Sequence, residues 1–374
     1  MSRVRVLVVD DSAVVRRILC DVLASVPWVE VVGTAHNGKV ALQKLGALRP
    51  DLVTLDVEMP ELNGLETLTA LRQTHPRLPV IMVSTLTGPG GEATLEALAR
   101  GATDYVTKPT KTVGMAAAQA EVREQLVPRI AALFPRVAMP AGAPARMASR
   151  LVAEQAGFTL AAPRAGLVDV VAIGVSTGGP NALAVVLPSL PANLAVPIVI
   201  VQHMPPVFTK LLADRLAARC PFPVAEGVQG AAVEPGEAWL APGDFHMEVE
   251  RHGLAVRLRL HQGPQENSCR PAVDVLFRSV AAVYGPRVLA VVLTGMGQDG
   301  FLGCGFIRQA GGQVIAQDEA TSVVWGMPGH VANGGLAEKV LPIEHVGPEI
   351  VRRLAVGRAV RSERRRPASG TGPR

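Results

Sequence analysis

Short apolar runs alternate with amphipathic stretches along the first part of the chain. The runs have the length of buried strands and cover residues 4–9, 29–32, 52–55, 80–83 and 105–106. After the first run, Ser12 is a predicted helix N-cap, because Val15, Ile18, Leu19 and Val22 recur on one helical face. Repeated strand–helix units of this kind predict a parallel sheet with helices on both faces.

The pattern changes after residue 110 and resumes near residue 167. A helix is predicted over 111–134, and the stretch 135–163 is rich in Ala, Pro, Arg and Met without a clean period, as in a linker. Beyond it, predicted strands (168–175, 197–201, 288–293 and 313–316) alternate with predicted helices (181–187, 210–218, 273–283 and 302–310). The segment 224–260 is more irregular and favours a hairpin region.

This alternation predicts an α/β fold with two doubly wound parallel-sheet domains joined by a linker. The first is expected to be flavodoxin-like and the second a Rossmann-like three-layer unit. The length of 374 residues fits two domains, at roughly 150 residues per domain. An apolar fraction of 48% excludes a globally disordered chain.

The formal net charge of +5 is unevenly distributed. Residues 352–374 hold eight Arg and one acidic residue, and residues 111–164 hold seven basic and three acidic residues. Without these two segments the rest of the chain is mildly acidic. We therefore expect a solvated, disordered tail over 352–374 rather than a nucleic-acid surface. An aromatic fraction of 3% also excludes a base-stacking platform.

The apolar runs and the cysteines bear on the cellular environment. No run approaches the roughly 20 residues of a membrane span, and residues 1–4 lead directly into a strand pattern. Four cysteines stand alone without a Cys-x-x-Cys pair: Cys20, Cys220, Cys269 and Cys304. We therefore expect a cytoplasmic protein with no signal peptide, membrane insertion, disulfide framework or zinc site.

Charged and hydroxyl side chains stand at the ends of the first set of strands. Asp10 and Asp11 follow the first strand, Asp56 and Ser84 end the third and fourth, and Lys108 follows the fifth. In a doubly wound sheet these ends converge on one edge. Clustered carboxylates repel one another unless a cation lies among them, and oxygen ligands suit Mg²⁺. A carboxylate beside Mg²⁺ and a lysine can accept a phosphoryl group, so Asp56 is the predicted acceptor.

The alternative is that these are ordinary strand-end acids that cap turns. It is reasonable for each residue alone, but their joint occurrence at successive strand ends favours a functional site. The Lys108–Pro109 bond is a candidate for a cis peptide that would aim the lysine inward.

These segments resemble the receiver domain of two-component response regulators. The matching pieces are Val-Asp-Asp-Ser (9–12), Leu-Asp-Val-Glu-Met-Pro (55–60), Met-Val-Ser (82–84) and Tyr-Val-Thr-Lys-Pro (105–109). The resemblance covers residues 3–121. It implies a phosphorylated Asp56, Mg²⁺ ligands from Asp10, Asp11, Asp56 and the backbone carbonyl of Glu58, and the switch residues Ser84, Tyr105 and Lys108.

A glycine-rich turn follows the first strand of the second half. Gly174-Val175-Ser176-Thr177-Gly178-Gly179 closes a strand and opens a helix, and it satisfies the Gly-x-Ser-x-Gly pattern of a nucleophile elbow. The backbone amides of such a turn could equally hold a phosphate or a dinucleotide. The turn alone therefore leaves both readings open.

A nucleophilic serine needs a base and a group that orients the base. His203 directly follows a buried strand and is the first candidate base, with His246 and His330 behind it. Asp299 lies in the loop after the strand 288–293 and is the first candidate for the acid. Asp244, Asp274 and Asp318 compete with it. The backbone amides of Thr177 and Met296 are candidate oxyanion donors.

These segments resemble the catalytic domain of the CheB family of chemotaxis protein-glutamate methylesterases. The matching pieces are Gly-Val-Ser-Thr-Gly-Gly-Pro (174–180), Gln-His-Met-Pro (202–205), Ala-Pro-Gly-x-x-His-Met (241–247), Arg-Pro-Ala-Val-Asp-Val-Leu-Phe (270–277), Leu-Thr-Gly-Met-Gly-Gln-Asp-Gly (293–300) and Ala-Thr-Ser-Val-Val-Trp-Gly-Met-Pro (320–328). The chain departs from the family's pattern at two places. Cys269 stands where the family often has His, and the Arg-rich tail lies outside the pattern. The resemblance places the family's triad on Ser176, His203 and Asp299.

The two resemblances imply a domain plan and an activity. The plan is a receiver over 3–121, a linker over 122–164, a methylesterase domain over 165–351 and a tail over 352–374. The implied activity is phosphorylation-dependent demethylation and glutamine deamidation of methyl-accepting chemotaxis receptors. A chemotaxis histidine kinase would be the phosphodonor. Mg²⁺ is expected at the receiver and no cofactor at the esterase site.

Three other functions are weighed against this one. A DNA-binding output would need a helix-turn-helix and a basic face, and the second half offers neither. A nucleotide-binding module would need an acidic residue at the end of the second strand, where this chain has Gln202-His203. The remaining alternative is a response regulator whose output domain is a non-catalytic scaffold.

Overall fold

The computed structural model describes residues 3–85, 87–109, 114–138 and 166–356. Most of the predicted linker and most of the predicted tail lie outside these ranges. Within them, no helix combines the length and the apolar character needed to cross a bilayer. All four cysteines are free thiols.

The first half forms a five-stranded parallel sheet in the order β2-β1-β3-β4-β5. Its strands are β1 (Val4–Val9), β2 (Val29–Ala35), β3 (Leu52–Asp56), β4 (Val80–Ser84) and β5 (Asp104–Thr107). Its helices are α1 (Ala13–Ala24), α2 (Gly38–Leu48), α3 (Gly64–Thr74), α4 (Gly88–Ala99) and α5 (Met115–Leu133). Helices α1 and α5 pack on one face and α2, α3 and α4 on the other. This confirms the predicted flavodoxin-like doubly wound sheet.

Polar caps fix where these helices begin. Ser12 accepts a hydrogen bond from the amide of Val15, as predicted, and the side chains of Asn37, Asn63 and Thr87 cap α2, α3 and α4 in the same way. Each cap satisfies one backbone donor that the first helical turn would otherwise leave unpaired. The caps therefore set the lengths of the loops that carry the strand-end side chains.

Helix α5 continues past residue 121, where the sequence analysis ended the receiver. Its buried residues continue to Ile130 and pack in the same core as α1, so residue 121 falls inside the helix. A short helix α6 (Pro135–Ala138) follows. The predicted cis bond at Lys108–Pro109 is wrong, because the cis peptide of the described residues is Arg270–Pro271.

The second half forms a seven-stranded parallel sheet in the order β14-β13-β12-β6-β7-β9-β8. The strands are β6 (Val170–Val175), β7 (Ile198–Gln202), β8 (Val224–Glu226), β9 (Ala238–Leu240), β12 (Val288–Val292), β13 (Gln313–Gln317) and β14 (Lys339–Leu341). The helices are α7 (Gly179–Val186), α8 (Phe208–Ala217), α9 (Val273–Tyr284), α10 (Phe301–Gln309), α11 (Met327–Asn333) and α12 (Ile343–Ala355). This confirms the second doubly wound domain, and the predicted start of the tail at 352 falls inside α12.

The irregular segment predicted over 224–260 forms two different structures. Strands β10 (His246–His252) and β11 (Ala255–His261) form the predicted antiparallel hairpin. The short strands β8 and β9 instead join the parallel sheet beyond β7, which the sequence did not indicate. The hairpin packs on α9 through Met247, Val249 and Leu258.

Both sheets reverse their direction of strand addition at a switch point. In the first sheet the reversal lies between β1 and β3, and in the second it lies between β6 and β12. Loops that leave the carboxyl ends of strands at such a point diverge and open a crevice. Asp10 and Asp56 flank the first crevice, and Ser176 and Asp299 flank the second.

The two sheets meet through α4 and β5 of the first and α7 and α8 of the second. The ring of Tyr105 stacks on that of Phe208, with centroids 4.9 Å apart. The Asn181 side chain donates to the carbonyl of Leu98 at 2.7 Å. The buried apolar cluster of this region continues from one domain into the other.

Candidate functional site

The first crevice brings together three carboxylates and a lysine. The ligating oxygens of Asp10, Asp11 and Asp56 all lie within 4.8 Å of one another. Lys108 Nζ donates to Asp56 Oδ2 at 2.7 Å and lies 3.7 Å from Asp10 Oδ2. Asp10 and Asp56 are buried, whereas Asp11 is exposed. The convergence of strand ends thus produces the predicted acidic cluster.

The electrostatics of this cluster favour a cation. Burial, followed by repulsion from Asp56, raises the pKa of Asp10 to about 7. Burial also raises the pKa of Asp56, although Lys108 opposes the rise. Asp10 Oδ2 is buried and accepts no hydrogen bond among the described residues. An orphaned carboxylate oxygen beside two further carboxylates is a donor set that fits Mg²⁺.

The remaining receiver residues surround this cluster or face away from it. The Glu58 side chain is exposed, and its backbone amide donates to Asp56 Oδ1 at 3.3 Å. Ser84 is buried, and its hydroxyl donates to the carbonyl of Gly90 rather than to Asp56. Tyr105 points to the second domain and stacks there on Phe208. Of the three predicted switch residues, Ser84 thus contacts α4, Tyr105 contacts the second domain and Lys108 contacts Asp56.

Ser176 follows β6 at the second crevice, on a turn that the surrounding backbone fixes tightly. Its amide donates to the carbonyl of Thr294, and its carbonyl accepts from the Gln202 side chain, both at 3.0 Å. Gly178 has a φ of 78°, a conformation that L side chains rarely adopt. A Cβ on Gly179 would lie 1.8 Å from the Gln202 oxygen. Both glycines are therefore required for the turn that presents the serine.

His203 and Asp299 are directly paired. His203 follows β7, the neighbour of β6, so it emerges beside Ser176. Its Nε2 lies 2.8 Å from Asp299 Oδ2. Burial alone would raise the pKa of Asp299, but the hydrogen bond from His203 and the backbone amides of α9 lower it. An ionised carboxylate only accepts, so Nε2 carries the proton and donates it.

The carboxylate of Asp299 also caps helix α9. It accepts from the amides of Val273 and Asp274 at 2.6 and 3.0 Å. These are among the donors that the helix start leaves unpaired, and the residue before the helix offers no side-chain cap. Three elements, β7, β12 and α9, therefore hold the imidazole in one orientation.

The other ring nitrogen of His203 faces a thiol. Cys269 Sγ lies 3.6 Å from Nδ1, and no hydrogen bond joins His203 to Ser176 among the described residues. Burial lowers the pKa of His203, but hydrogen bonds to Asp299 and Cys269 outweigh it and raise the pKa to about 10. The structure therefore pairs two members of the predicted triad and places the third beside them without a direct link.

The competing candidates have structural partners elsewhere. His246 is buried between the carbonyl of Pro264 and the amide of Ala272, and His330 bonds to a carbonyl of its own helix. Asp244 pairs with Arg270, and Asp318 caps a turn at Thr321. Asp274 is buried behind Asp299, and burial raises its pKa to about 7. The structure leaves His203 and Asp299 as the pair beside Ser176.

Of the two candidate oxyanion donors, Thr177 directly follows the serine, and Met296 follows Gly295, whose backbone lies against Ser176. The amides of Thr177 and Met296 donate no hydrogen bond among the described residues, so both remain available to a ligand. The Thr177 hydroxyl, however, donates to Asp104 Oδ2 of the first domain at 2.9 Å. The residue that follows the serine is thus tied to the other domain.

A cavity of about 480 Å³ lies between the two domains next to His203. The first domain contributes Tyr105, Thr107, Gln125 and Arg129 to its walls, and the second contributes His203 and Cys269 among others. The first domain therefore forms one wall of the space beside the histidine.

Sequence reasoning missed several residues of this site. Gln202 holds the serine carbonyl, Asn267 bridges Asp274 and Asp299, and Asp104 binds Thr177. Gln202 has a signal, since it directly precedes the candidate base. Asn267 and Asp104 have none, because their partners are distant in sequence.

Comparisons with known proteins agree with the two-part architecture. Residues 6–119 match the family model of the response regulator receiver domain, and residues 171–350 match that of the CheB methylesterase. A protein from Trichodesmium erythraeum, named protein-glutamate methylesterase/protein-glutamine glutaminase, is 51% identical over 95% of this chain and 100% of its own length. A Nocardioides protein of the same name is 52% identical over 95% of this chain and 96% of its own. The crystal structure of the Thermotoga maritima CheB methylesterase catalytic domain is 42% identical over 50% of this chain and 99% of its own, with a TM-score of 0.49.

Proposed function

The chain belongs to the CheB family of protein-glutamate methylesterases and protein-glutamine glutaminases, and we propose that Ser176, His203 and Asp299 carry out its hydrolysis. The enzyme removes methyl groups from glutamyl methyl esters of chemoreceptors and deamidates receptor glutamines, under the control of its receiver domain. The observation that carries the assignment is the His203–Asp299 pair beside the Ser176 turn.

The first step is acylation of the serine. Ser176 Oγ attacks the γ-carbonyl carbon of the methyl ester while His203 Nδ1 accepts the hydroxyl proton. Asp299 stays ionised and stabilises the imidazolium through its hydrogen bond with Nε2. The same proton then passes to the leaving methoxide, so methanol departs and the glutamyl group remains on the serine.

The second step releases the product by the same route. Water loses a proton to His203 Nδ1 and attacks the acyl carbon, and the proton returns to Ser176 as the ester bond breaks. With glutamine as the substrate, ammonia leaves in place of methanol and the later step is unchanged. In both cases the product is a glutamate side chain.

The negative charge of the tetrahedral intermediate needs donors beside Ser176. We assign this role to the backbone amides of Thr177, which follows the serine, and Met296, which follows a glycine that lies against it; neither has another acceptor among the described residues. Fixed donors of this kind stabilise the transition state because they need no reorientation during the reaction.

The receiver supplies the regulation. We propose Asp56 as the phosphoacceptor, with Lys108 to bind the incoming phosphoryl group and Asp10, Asp11, Asp56 and the Glu58 carbonyl to hold Mg²⁺. When bound, Mg²⁺ neutralises charge that develops on the phosphoryl group. A chemotaxis histidine kinase is the proposed phosphodonor, and methyl-accepting chemotaxis receptors in contact with the cytoplasm are the proposed substrates.

Phosphorylation is expected to act through the domain contact. Tyr105 of β5 stacks on Phe208, and Asp104 of β5 accepts a hydrogen bond from Thr177. The receiver also forms one wall of the cavity beside His203. An α-helix with its side chains is about 10–12 Å wide, so a receptor helix does not fit a cavity of about 480 Å³ while the receiver forms its wall. We propose that phosphorylation of Asp56 moves the population towards a state in which the receiver has left the cleft.

Replacement of the proposed nucleophile tests the hydrolase assignment. Ser176→Ala should lower methanol release from methylated receptor membranes by more than about 10,000-fold, because no other group forms the acyl-enzyme. The measurement is methanol release together with labelling by a fluorophosphonate, which reacts with activated serines. Ser189→Ala, which removes a hydroxyl beyond the far end of α7, is the matched control and should keep both signals. Methanol release that survives in Ser176→Ala would contradict the assignment.

A further inference from the structure

A thiol, an imidazole and a carboxylate stand in a row beside the cavity. Cys269 Sγ lies 3.6 Å from His203 Nδ1, and His203 Nε2 lies 2.8 Å from Asp299 Oδ2. The ligating atoms of the three side chains all lie within 4.8 Å of one another. We propose that Cys269 and His203 form a binding site for a thiophilic divalent cation such as Zn²⁺, and that a bound cation blocks hydrolysis.

The distance between the two ligand atoms matches zinc coordination. A tetrahedral zinc ion holds a cysteine sulfur at about 2.3 Å and a histidine nitrogen at about 2.0–2.1 Å, which places the two atoms about 3.6 Å apart. Cys269 Sγ and His203 Nδ1 already have this separation. The spacing of the two ligand atoms therefore already suits the ion.

Asp299 supports the site from behind rather than binding the ion. Its two oxygens accept hydrogen bonds from His203, Asn267, Val273, Asp274 and Gly300. These bonds occupy the lone pairs that a metal would need. A metal-bound histidine usually donates its other ring N–H to a carboxylate, which fixes the tautomer and makes the ligating nitrogen more basic. His203 and Asp299 have this arrangement, and it directs the Nδ1 lone pair at the thiol.

The site is accessible and has room for further ligands. His203 and Cys269 line the cavity of about 480 Å³ between the domains, next to Ser268 and Gln265. Water from this cavity can fill the remaining coordination positions, as in zinc sites with an open position. Sulfur and imidazole ligands select Zn²⁺ and related soft cations over Mg²⁺.

Metal binding and catalysis cannot occur together, because both use the Nδ1 atom of His203. The Nδ1 lone pair that would bind the cation is the one that must accept the Ser176 proton. On binding, sulfur–metal and nitrogen–metal bonds form, and the protons on Cys269 Sγ and on His203 Nδ1, where present, pass to solvent, without oxidation of any group. The proposed inhibition rests on the proposed hydrolase function, whereas the metal binding does not.

The sequence pattern did not indicate this site. Zinc sites are recognised from short Cys and His spacings, and the cysteines of this chain have none. Cys269 and His203 are 66 residues apart and meet only through the fold. The proposed two-residue site therefore departs from the expectation of no zinc site, which rested on sequence spacing alone.

Cobalt spectroscopy of the full-length protein tests the binding without any enzymatic assay. Co²⁺ replaces Zn²⁺ and should give a thiolate-to-cobalt charge-transfer band in wild type. The band should be lost in Cys269→Ala and kept in Cys220→Ala, which removes another half-buried free thiol. If Cys269→Ala folds poorly by circular dichroism, Cys269→Ser provides the same test. No band in wild type, or an equal band in the Cys269 variants, would overturn the site.

Zinc titration of basal methanol release tests the inhibition. Each variant is compared with its own metal-free rate, without phosphodonor. Zn²⁺ should inhibit wild type and Cys220→Ala alike, and the inhibitory concentration should rise at least about 10-fold in Cys269→Ala. A chelator should restore the rate, and Mg²⁺ should not inhibit. Equal zinc sensitivity in wild type and Cys269→Ala would refute inhibition through this site. A cobalt band in a protein that releases no methanol would separate failure of the proposed function from failure of the metal site.

Discussion

Ser176 depends on neighbours that have no chemical role of their own. Gln202 is buried, and its amide nitrogen holds the serine carbonyl at 3.0 Å. Gly179 leaves the space that this side chain occupies. The position of the nucleophile is therefore decided by packing behind it, and small changes there should affect catalysis before they affect folding.

Gly179→Ala tests this dependence. The added methyl group would lie 1.8 Å from the Gln202 oxygen and 2.7 Å from a methyl carbon of Val175, so the amide that holds Ser176 must move. We expect kcat for methanol release to fall about 100-fold, as for a misplacement of about 1 Å. Gly46→Ala is the control, because its Cβ would meet nothing within 4 Å. An unchanged kcat in Gly179→Ala would contradict the packing argument.

The charge on His203 sets a pH dependence. Burial lowers the pKa of His203, but the hydrogen bonds to Asp299 and Cys269 raise it to about 10. Only the neutral imidazole accepts the serine proton, so a raised pKa means that kcat/KM increases with pH beyond neutrality. Asp299→Asn removes the charge that raises the pKa. It should move the increase to lower pH and lower the plateau by on the order of 1,000–10,000-fold.

The measurement is the pH profile of kcat/KM for wild type and Asp299→Asn. A purely structural effect of the substitution would lower the rate at all pH values and leave the midpoint in place. The same midpoint in both proteins would therefore contradict the assignment of Asp299 as the partner of the catalytic base.

Strand β5 and helix α4 connect the two functional regions. Asp104 and Tyr105 of β5 contact the second domain four and three residues before Lys108, which binds Asp56. On α4, Leu98 accepts from Asn181, and Glu96 pairs with Arg215 at the partly exposed rim. Exposed ion pairs contribute little, so the buried hydrogen bond and the stacked rings should dominate the contact.

Asp104→Ala should weaken this contact. A hydrogen bond to a charged group contributes about 1.5–3 kcal/mol, which corresponds to a shift of about 10- to 150-fold in the docking equilibrium. Basal methanol release without phosphodonor should rise, and the further stimulation by phosphodonor should shrink. Asn181→Ala, which removes the bond to Leu98, should act in the same direction. Arg17→Ala, on an exposed face of α1, is the control. Unchanged basal rates in both interface variants would contradict the role of the contact.

Strands and helices were predicted well where the hydrophobic period and the helix caps indicate the same element. The first sheet, the central strands of the second sheet and the hairpin were all expected. Strands β8 and β9 fall in the segment expected to be β-like, but their place in the parallel sheet was not expected, and neither was β14. Three residues are too few to show a period, and the pairing partners are distant in the chain. The helix α5 was predicted, over 111–134, but the receiver boundary was set inside it at 121, because the packing of its second half on α1 is a tertiary contact.

The part of the candidate site that lies at the converging strand ends was predictable from the sequence. Asp10, Asp56 and Lys108 meet because parallel strands end on one edge, and the same rule brings Ser176 near His203 and Asp299. Contacts that depend on the docking of the two domains were not predictable. Thr177 and Asp104 are 73 residues apart and belong to different sheets, so no local pattern links them.

The molecule contains two crevices, each at the switch point of a parallel sheet, and the domain contact joins them. The acidic cluster of the first domain lies at one end of β5, which also contacts the turn that carries Ser176. The receiver both forms a wall of the cleft and carries the phosphoacceptor, so a change at Asp56 can alter access to His203 without any direct contact between the two sites. The central claim is that phosphorylation of Asp56 relieves this obstruction.

The most direct measurement is methanol release from methylated receptor membranes by wild type and Asp56→Asn, each with and without a small-molecule phosphodonor and Mg²⁺. The account predicts that phosphodonor raises the wild-type rate and leaves Asp56→Asn at its basal rate, because only the wild type can be phosphorylated at the acidic cluster. Equal stimulation of the two proteins, or no stimulation of the wild type, would contradict the account.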